Sequence, residues 1–262
     1  MFANINGTKI FFDVDGASHV PHEGGLRERP TCFVLHGGPG GSGYSAEGPP
    51  ASYNLENNVN DLEALREYLG LEKIWLLGHS YGGMVAMQFA INYLERVAGL
   101  ILVTTAPSYH FLEKAKRYVA EHGNSAQLEM MATLLEGKFT SNEHLNRYYE
   151  VMEPLYTRQT EVVTSKESVW KFKRSYEALN EGFAGFLRTF DVRAQLPNIT
   201  VPTLVIGGKY DWITPLEDNA LIARLIPNSE FVVMEHSSHS VMEEETEKFN
   251  RVVSDFVTRH SS

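Results

Sequence analysis

The chain has 262 residues, 43% hydrophobic and 21% charged, with a net charge of −10 from 23 basic and 33 acidic side chains. That length suits one α/β domain with an inserted lid, or two small domains, with a core that needs no disulfides. The acidic balance, with no basic patch, argues against a nucleic-acid partner, and no apolar run is long enough for a membrane span.

The start lacks the basic residues and apolar core of a signal peptide. A single cysteine, Cys32, forbids an internal disulfide, so a reducing, cytoplasmic setting is expected. Cys32 sits within the run Thr31–Leu35 and reads as a buried structural thiol.

In chain order, Phe2–Ile5 and Lys9–Asp13 flank Asn6-Gly7, a hairpin signal. Val14–Pro30, rich in Gly, Pro and charge, reads as loop. His19 and His22 there have a metal-like spacing without any companion ligand signature. Thr31–Leu35 reads as a fully buried strand. It runs into His36-Gly37-Gly38-Pro39-Gly40-Gly41-Ser42-Gly43, which lacks the Lys-Ser/Thr ending of a phosphate loop. Glycines at a strand's C-terminal end can aim backbone N–H groups into a pocket, so an oxyanion loop is expected.

Ala46–Asn57 reads as loop, and Asn60–Leu69 as an amphipathic helix closed by Gly70. Next comes the apolar run Ile74–Leu77, then Gly78-His79-Ser80-Tyr81-Gly82-Gly83 and a helical pattern to about Tyr93. Strand, Gly-x-Ser-x-Gly turn and helix together describe an elbow that lifts a serine hydroxyl above the sheet. Gly99–Val103 is the following strand.

From 107 to 196 charged helical stretches dominate: Phe111–His122, Ala126–Leu135, Asn142–Met152 and Ser168–Leu179. With no strand among them they read as an all-helical lid inserted into a core made of 1–106 and 197–262. Its many aromatic residues read as the lid's own packing. The α/β pattern then resumes with strand Thr203–Ile206, helix Leu216–Ile226, strand Glu230–Met234 and helix Thr246–Arg259.

A serine needs a base, and the base needs an orienting acid. Elbow enzymes carry them in the order Ser, acid, His. Asp211 follows one buried strand, and His236 and His239 lie in the loop after the next. Ser80, Asp211 and a loop histidine thus fall on one rim of the sheet. Asp211 could instead cap the helix near Pro215, and Asp218 lies within that helix. His79 would pack beneath the elbow and His36 would orient the glycine loop. The N–H groups of Gly38 and Tyr81 are the candidate oxyanion hole. No metal or cofactor signature is present, and acyl transfer by this set requires none.

On His36-Gly37-Gly38-Pro39-Gly40, Gly78–Gly83, Val201-Pro202-Thr203-Leu204, Tyr210-Asp211 and Ser238-His239, the chain resembles the proline iminopeptidase group of α/β-hydrolase-fold serine hydrolases. The resemblance implies a mostly parallel sheet flanked by helices and selects His239 over His236 as base. It implies an aminopeptidase that releases N-terminal proline, or other small or apolar residues, from short peptides. Esterases, lactonases and carbon–carbon bond hydrolases share the elbow and acid loop.

Such peptidases hold the substrate's ammonium with lid carboxylates. Glu181 stands where the group carries one, and Glu181, Gly37 and Trp212 are the substrate-binding candidates. Trp212 replaces a second acid that some relatives place after the triad aspartate. A helix–strand unit of about 30 residues, which the group carries between the glycine loop and the segment resembling Ser45-Ala46-Glu47-Gly48, has no counterpart after Tyr44. In the group that strand lies between the early hairpin and Thr31–Leu35. Its loss must let those neighbours close up or leave the sheet unpaired there, with activity impaired as one consequence. The expected partner is a small peptide or ester, and oligomeric state has no sequence signal.

Overall fold

In the computed structural model, which describes residues 1–22, 24–40, 53–158 and 174–261, the apolar runs form a five-stranded sheet in spatial order β5-β6-β7-β8-β9. These strands are β5 (Cys32–Leu35), β6 (Ile74–His79), β7 (Val97–Val103), β8 (Thr203–Gly208) and β9 (Glu230–Met234). Every neighbouring pair is parallel. Parallel strands need crossovers, supplied here by helices α1 (Leu55–Tyr68), α2 (Tyr81–Asn92) and α7 (Leu216–Leu225). All strand C-termini therefore open on the same rim, and each strand-end loop can reach a common site.

Period-two alternation decides which side chain meets which layer. Leu76, Leu100, Leu102 and Val205 join one apolar cluster with α1, α2 and α7. Trp75, Ile101, Val103, Leu204 and Ile206 join another with Val241 of α8 (Val241–Glu244) and with Phe249 and Phe256 of α9 (Thr246–His260). Each such side chain contributes on the order of 1.5–3 kcal/mol of burial, so the central strands are the stable frame of the molecule.

Between β7 and β8 the described residues form helices α3 (His110–His122), α4 (Ser125–Glu136), α5 (Asn142–Tyr156) and α6 (Tyr176–Ala184), with one isolated β-bridge, Ser108 to Asp191. Phe111, Leu134, Tyr148 and Phe183 belong to the same cluster as Leu76 and Leu100. This helical segment therefore shares a continuous core with the sheet. Lys114 of α3 also pairs with buried Asp218 of α7 at 2.6 Å. The expected helix Ser168–Leu179 lies partly outside the described residues. Its described part starts at Tyr176, capped by Ser175, and runs on to Ala184.

Other expectations shift. Val14–Pro30 is not all loop: β3 (His19–His22) pairs antiparallel with β4 (Gly25–Glu28) in a hairpin of its own. Gly24, at φ 82°, supplies the left-handed turn. Among the described residues no group of three potential metal-ligating side chains occurs. The first crossover helix begins at Leu55 rather than Asn60, because the Asn54 side chain caps it by accepting from Asn57 N–H.

The largest departure concerns Thr31–Leu35. β1 (Phe2–Ile5) and β2 (Thr8–Phe11) form a separate two-stranded sheet, so among the described strands β5 lies at the edge. Val34 is 72% exposed and Cys32 is exposed as well. Their register partners in β6 are Leu77 and Trp75, on the α9 side. Nothing described covers that side of β5. An open cavity of about 1750 Å³ runs along β5, lined by the N-terminal hairpin, β5, the glycine loop, α1, α2 and the end of α9. Ligand pockets usually hold roughly 300–1,000 Å³, so this volume is a gap between layers. Protein around the cavity mouth still desolvates the Cys32 thiol and pushes it up to about 11, which leaves it unreactive. Tyr44 and the segment Ser45–Gly48 lie outside the described residues.

Candidate active site

Ser80 joins β6 to α2 with φ 56° and ψ −121°, a conformation that non-glycine residues adopt only under strain of about 1–3 kcal/mol. Close approach explains the flanking glycines. A Cβ on Gly78 would overlap the Gly82 carbonyl, and one on Gly82 would overlap the Leu35 carbonyl. The end of β7 holds the elbow in place. Ser80 N–H donates to Val103 O at 2.9 Å, and Thr105 Oγ1 donates to Ser80 O at 2.7 Å. Ser80 Oγ makes no hydrogen bond with another described residue.

Asp211 follows β8 and is buried. Its Oδ1 accepts from the N–H groups of Ile213 and Thr214, and its Oδ2 from Thr214 Oγ1 at 2.8 Å. The remaining bond joins Oδ2 to His239 Nδ1 at 2.8 Å. A carboxylate held by fixed donors keeps its aim, and it sets the imidazole with Nδ1–H toward Asp211 and Nε2 free to take a proton. His236 is exposed, its N–H bonded to Glu245, so Asp211 engages His239 alone of the two.

The His239 backbone is fixed at both ends. Its carbonyl accepts from Thr104 Oγ1 at 3.1 Å and from His79 Nε2–H at 3.2 Å, and its N–H donates to Tyr156 O at 3.1 Å. Donation to a carbonyl fixes His79 as the neutral Nε2–H tautomer. Burial, then the nearby His239, pushes its pKa down to about 3. The His79 and His239 rings lie 4.8 Å apart.

The glycine loop approaches from the other side. A Cβ on Gly37 would stand 3.1 Å from Ser80 Cβ and 3.2 Å from His79 Nδ1. His36 Nδ1 lies 2.7 Å from Gly37 O. Gly38 has φ 129°, open to glycine alone. Tyr81 is the first residue of α2, where a backbone N–H has no intrahelical acceptor. Helix α6 supports the loop from outside: Ser175 N–H donates to Gly40 O at 3.1 Å, and Gly182 packs on Pro39.

A family model described as "alpha/beta hydrolase fold" matches residues 31–246. The chain belongs to the α/β-hydrolase family. This hydrolase is 30% identical to a protein named proline iminopeptidase PfmaB of Pestalotiopsis fici, over 88% of this chain and 92% of the relative. It is 30% identical to the proline iminopeptidase of Saccharolobus solfataricus, covering 87% of this chain and 84% of that one. The latter match runs over 270 positions, more than the 262 residues present here, so that relative carries residues with no counterpart in this hydrolase. In fold it is similar to the enol-lactonase of Burkholderia xenovorans LB400, with a TM-score of 0.66, 21% identity, and coverage of 98% and 100% of the two chains.

Trp212 is wholly buried, edge-on to the Tyr156 ring at 5.2 Å. The turn that brings Asp211 to His239 sends the next side chain into the core. Glu181 is exposed on α6, beside the Gly182 that meets Pro39.

Several supporting residues carried no motif. Thr104 and Thr105 hold His239 and Ser80, and Asn219 Oδ1 accepts from Thr105 N–H while its Nδ2 donates to Thr214 O. The threonine pair had a readable signal: polar residues directly after the run Gly99–Val103, on the rim that carries Ser80.

Proposed function

We propose that this hydrolase is a serine aminopeptidase that releases N-terminal proline, or other small or apolar residues, from short peptides through an acyl-enzyme. The observation that carries the reading is the buried 2.8 Å Asp211–His239 pair, set on the rim that presents Ser80 on its strained elbow. The peptide part of the reading rests on the relatives' names.

In the first step His239 Nε2 takes the hydroxyl proton as Ser80 Oγ bonds to the substrate carbonyl carbon. The substrate moves Ser80 and His239 into contact, since catalytic hydrogen bonds often tighten only in the complex. The carbonyl electrons pass to oxygen, which the N–H groups of Gly38 and Tyr81 hold at roughly 3 kcal/mol per donor. Collapse breaks the C–N bond, and the imidazolium gives its proton to the departing amine. Water then attacks the ester with His239 as base, and Ser80 recovers its proton. Gly37 and Glu181 face the substrate, with Glu181 as partner of its free ammonium. The helical segment 107–196 is the lid under which it binds. No metal or cofactor enters the scheme.

Two assays test this reading. Turnover of a proline arylamide, lost in Ser80→Ala together with fluorophosphonate labelling, is expected. Glu181→Gln should raise KM for substrates with a free amino terminus and leave neutral esters unchanged; equal effects on both remove Glu181 from the site.

The likeness to the enol-lactonase and the burial of Trp212 where some peptidases carry an acid favour a second reading, an esterase or lactonase on the same triad. Robust turnover of a short-chain aryl ester with none of the arylamide selects it. A third reading, an impaired hydrolase lacking one helix–strand unit, draws on the edge position of β5. Labelling of the native chain but not of Ser80→Ala removes it.

A further inference from the structure

The loop that carries His239 is bound to the end of a helix 83 residues away in sequence. Leu155 and Tyr156 are the last residues of α5, so their carbonyls lack intrahelical donors. Both are satisfied by the histidine loop: Ser238 Oγ donates to Leu155 O at 2.6 Å and His239 N–H to Tyr156 O at 3.1 Å. Beyond the helix, Arg158 N–H donates to Glu244 Oε1 at 2.6 Å, while Glu244 Oε2 accepts from Ser238 N–H at 2.8 Å. One carboxylate therefore joins the end of α5 to the residue before His239. The Arg158 guanidinium also lies over the Tyr210 ring at 3.9 Å, next to Asp211. Glu245 anchors the preceding residues by accepting from His236 N–H at 3.0 Å and Ser237 Oγ at 2.7 Å.

We propose that Glu244 is a positioning residue for His239, and that with the C-terminal turn of α5 it forms a clasp mounting the catalytic base on the helical segment. A carboxylate is required by the donor count. Two N–H groups from separate segments converge on it, each needing its own acceptor oxygen. Glutamine offers one oxygen and sets an NH2 group against the second donor. Without the clasp the histidine loop moves against Asp211, exposing the shared proton, and loses a fixed distance to Ser80. The α5 carbonyls add a second effect, since the negative end of a helix dipole favours the imidazolium formed during acyl transfer. The inference rests on the reading of His239 as the base.

The test uses the full chain as wild type and as Glu244→Gln, Glu244→Ala and Ser238→Ala, with exposed Glu247→Gln as control. The first readout is the downfield proton resonance of His239 Nδ1–H, identified by its loss in His239→Ala, which requires no turnover. It should broaden or vanish through faster solvent exchange in both Glu244 variants and persist in Glu247→Gln. The second is kcat per fluorophosphonate-titrated site, expected to fall about 10- to 100-fold with KM unchanged; Ser238→Ala should lose less, about threefold. A purely structural role lowers the melting temperature and leaves kcat per active site unchanged. Wild-type resonance and kcat in folded Glu244→Ala overturn the proposal. If that variant does not fold, Ser238→Ala reads the same clasp from its other side, and wild-type values there overturn it equally. A wild-type chain that takes no fluorophosphonate counts against the serine-hydrolase reading, and the proton resonance still decides the clasp.

Discussion

Ser80 stands between two differently built regions. On one side the loops after β8 and β9 are tied to each other, to the end of β7 and to α5: Asp211 accepts four hydrogen bonds and the His239 backbone takes part in three. On the other side the glycine loop leaves β5, an edge strand beside an open cavity, with α6 as its outer support. The Asp211–His239 side is over-determined, whereas the glycine-loop side leans on few neighbours among the described residues. Fixed donors at the developing oxyanion are worth several kcal/mol only while they stay in place. The difference therefore locates the molecule's weak point at the glycine loop.

The largest expected effect tests the rigid side. Asp211→Asn keeps size and shape but no longer enforces the Nδ1–H tautomer of His239, so kcat should fall on the order of 10⁴-fold with the fold intact. Circular dichroism and single-turnover kinetics check it, and a drop below tenfold would show that the acid is dispensable.

A matched pair of glycine changes then compares the two sides. A Cβ on Gly208 would overlap the Ser238 carbonyl, backbone against backbone. Gly208→Ala should cost about 2–4 kcal/mol in urea unfolding. A Cβ on Gly182 would meet the Pro39 ring, carried on a loop with a cavity beside it. Gly182→Ala should cost under about 1 kcal/mol in stability, because the loop yields, yet lower kcat about tenfold through displaced oxyanion donors. Equal destabilisation by both changes would mean the sides are equally rigid.

His79 touches both regions, and its titration sharpens the comparison. Its folded pKa, about 3, lies below the ordinary 6.5, so the unfolded chain binds the proton more readily. Stability from neutral His79 is complete above pH 6.5 and is lost as pH falls from there toward 3, at up to about 1.4 kcal/mol per unit. His79→Asn retains a donor for the His239 carbonyl and cannot titrate. Thermal unfolding from pH 7 to 4 should show a steeper fall for the wild type, and parallel curves would show that His79 is not buried neutral.

The same contrast explains what the sequence could reveal. The placement of Ser80, Asp211 and His239 was legible because each sits where a strand with strong apolar signal ends, and parallel strands share one rim. The α5–Glu244 clasp was not, because backbone carbonyls and a glutamate within the run Glu243-Glu244-Glu245 carry no residue-specific pattern. The burial of Trp212 was not legible, because adjacency to Asp211 says nothing about which way a side chain turns. Cys32 and Val34 were misread for a tertiary reason. Thr31–Leu35 has the composition of a doubly covered strand, and only the folded chain shows that no described residue supplies one of the covers.

That missing cover gives the smallest expected effect. Leu102 and Val34 belong to the same sheet, yet Leu102 is wholly buried and Val34 is 72% exposed. A lysine at Leu102 would leave an unpaired charge in the core, whereas Val34→Lys places its ammonium in water. Val34→Lys should change unfolding free energy by less than about 0.5 kcal/mol. It should also raise solubility, since a lysine on an edge strand discourages pairing with another chain. A loss of several kcal/mol would instead place Val34 under a covering layer in solution. A loss that shrinks as the protein is diluted would identify that layer as a second copy of the chain, because only then does the stability of the wild type depend on protomer concentration.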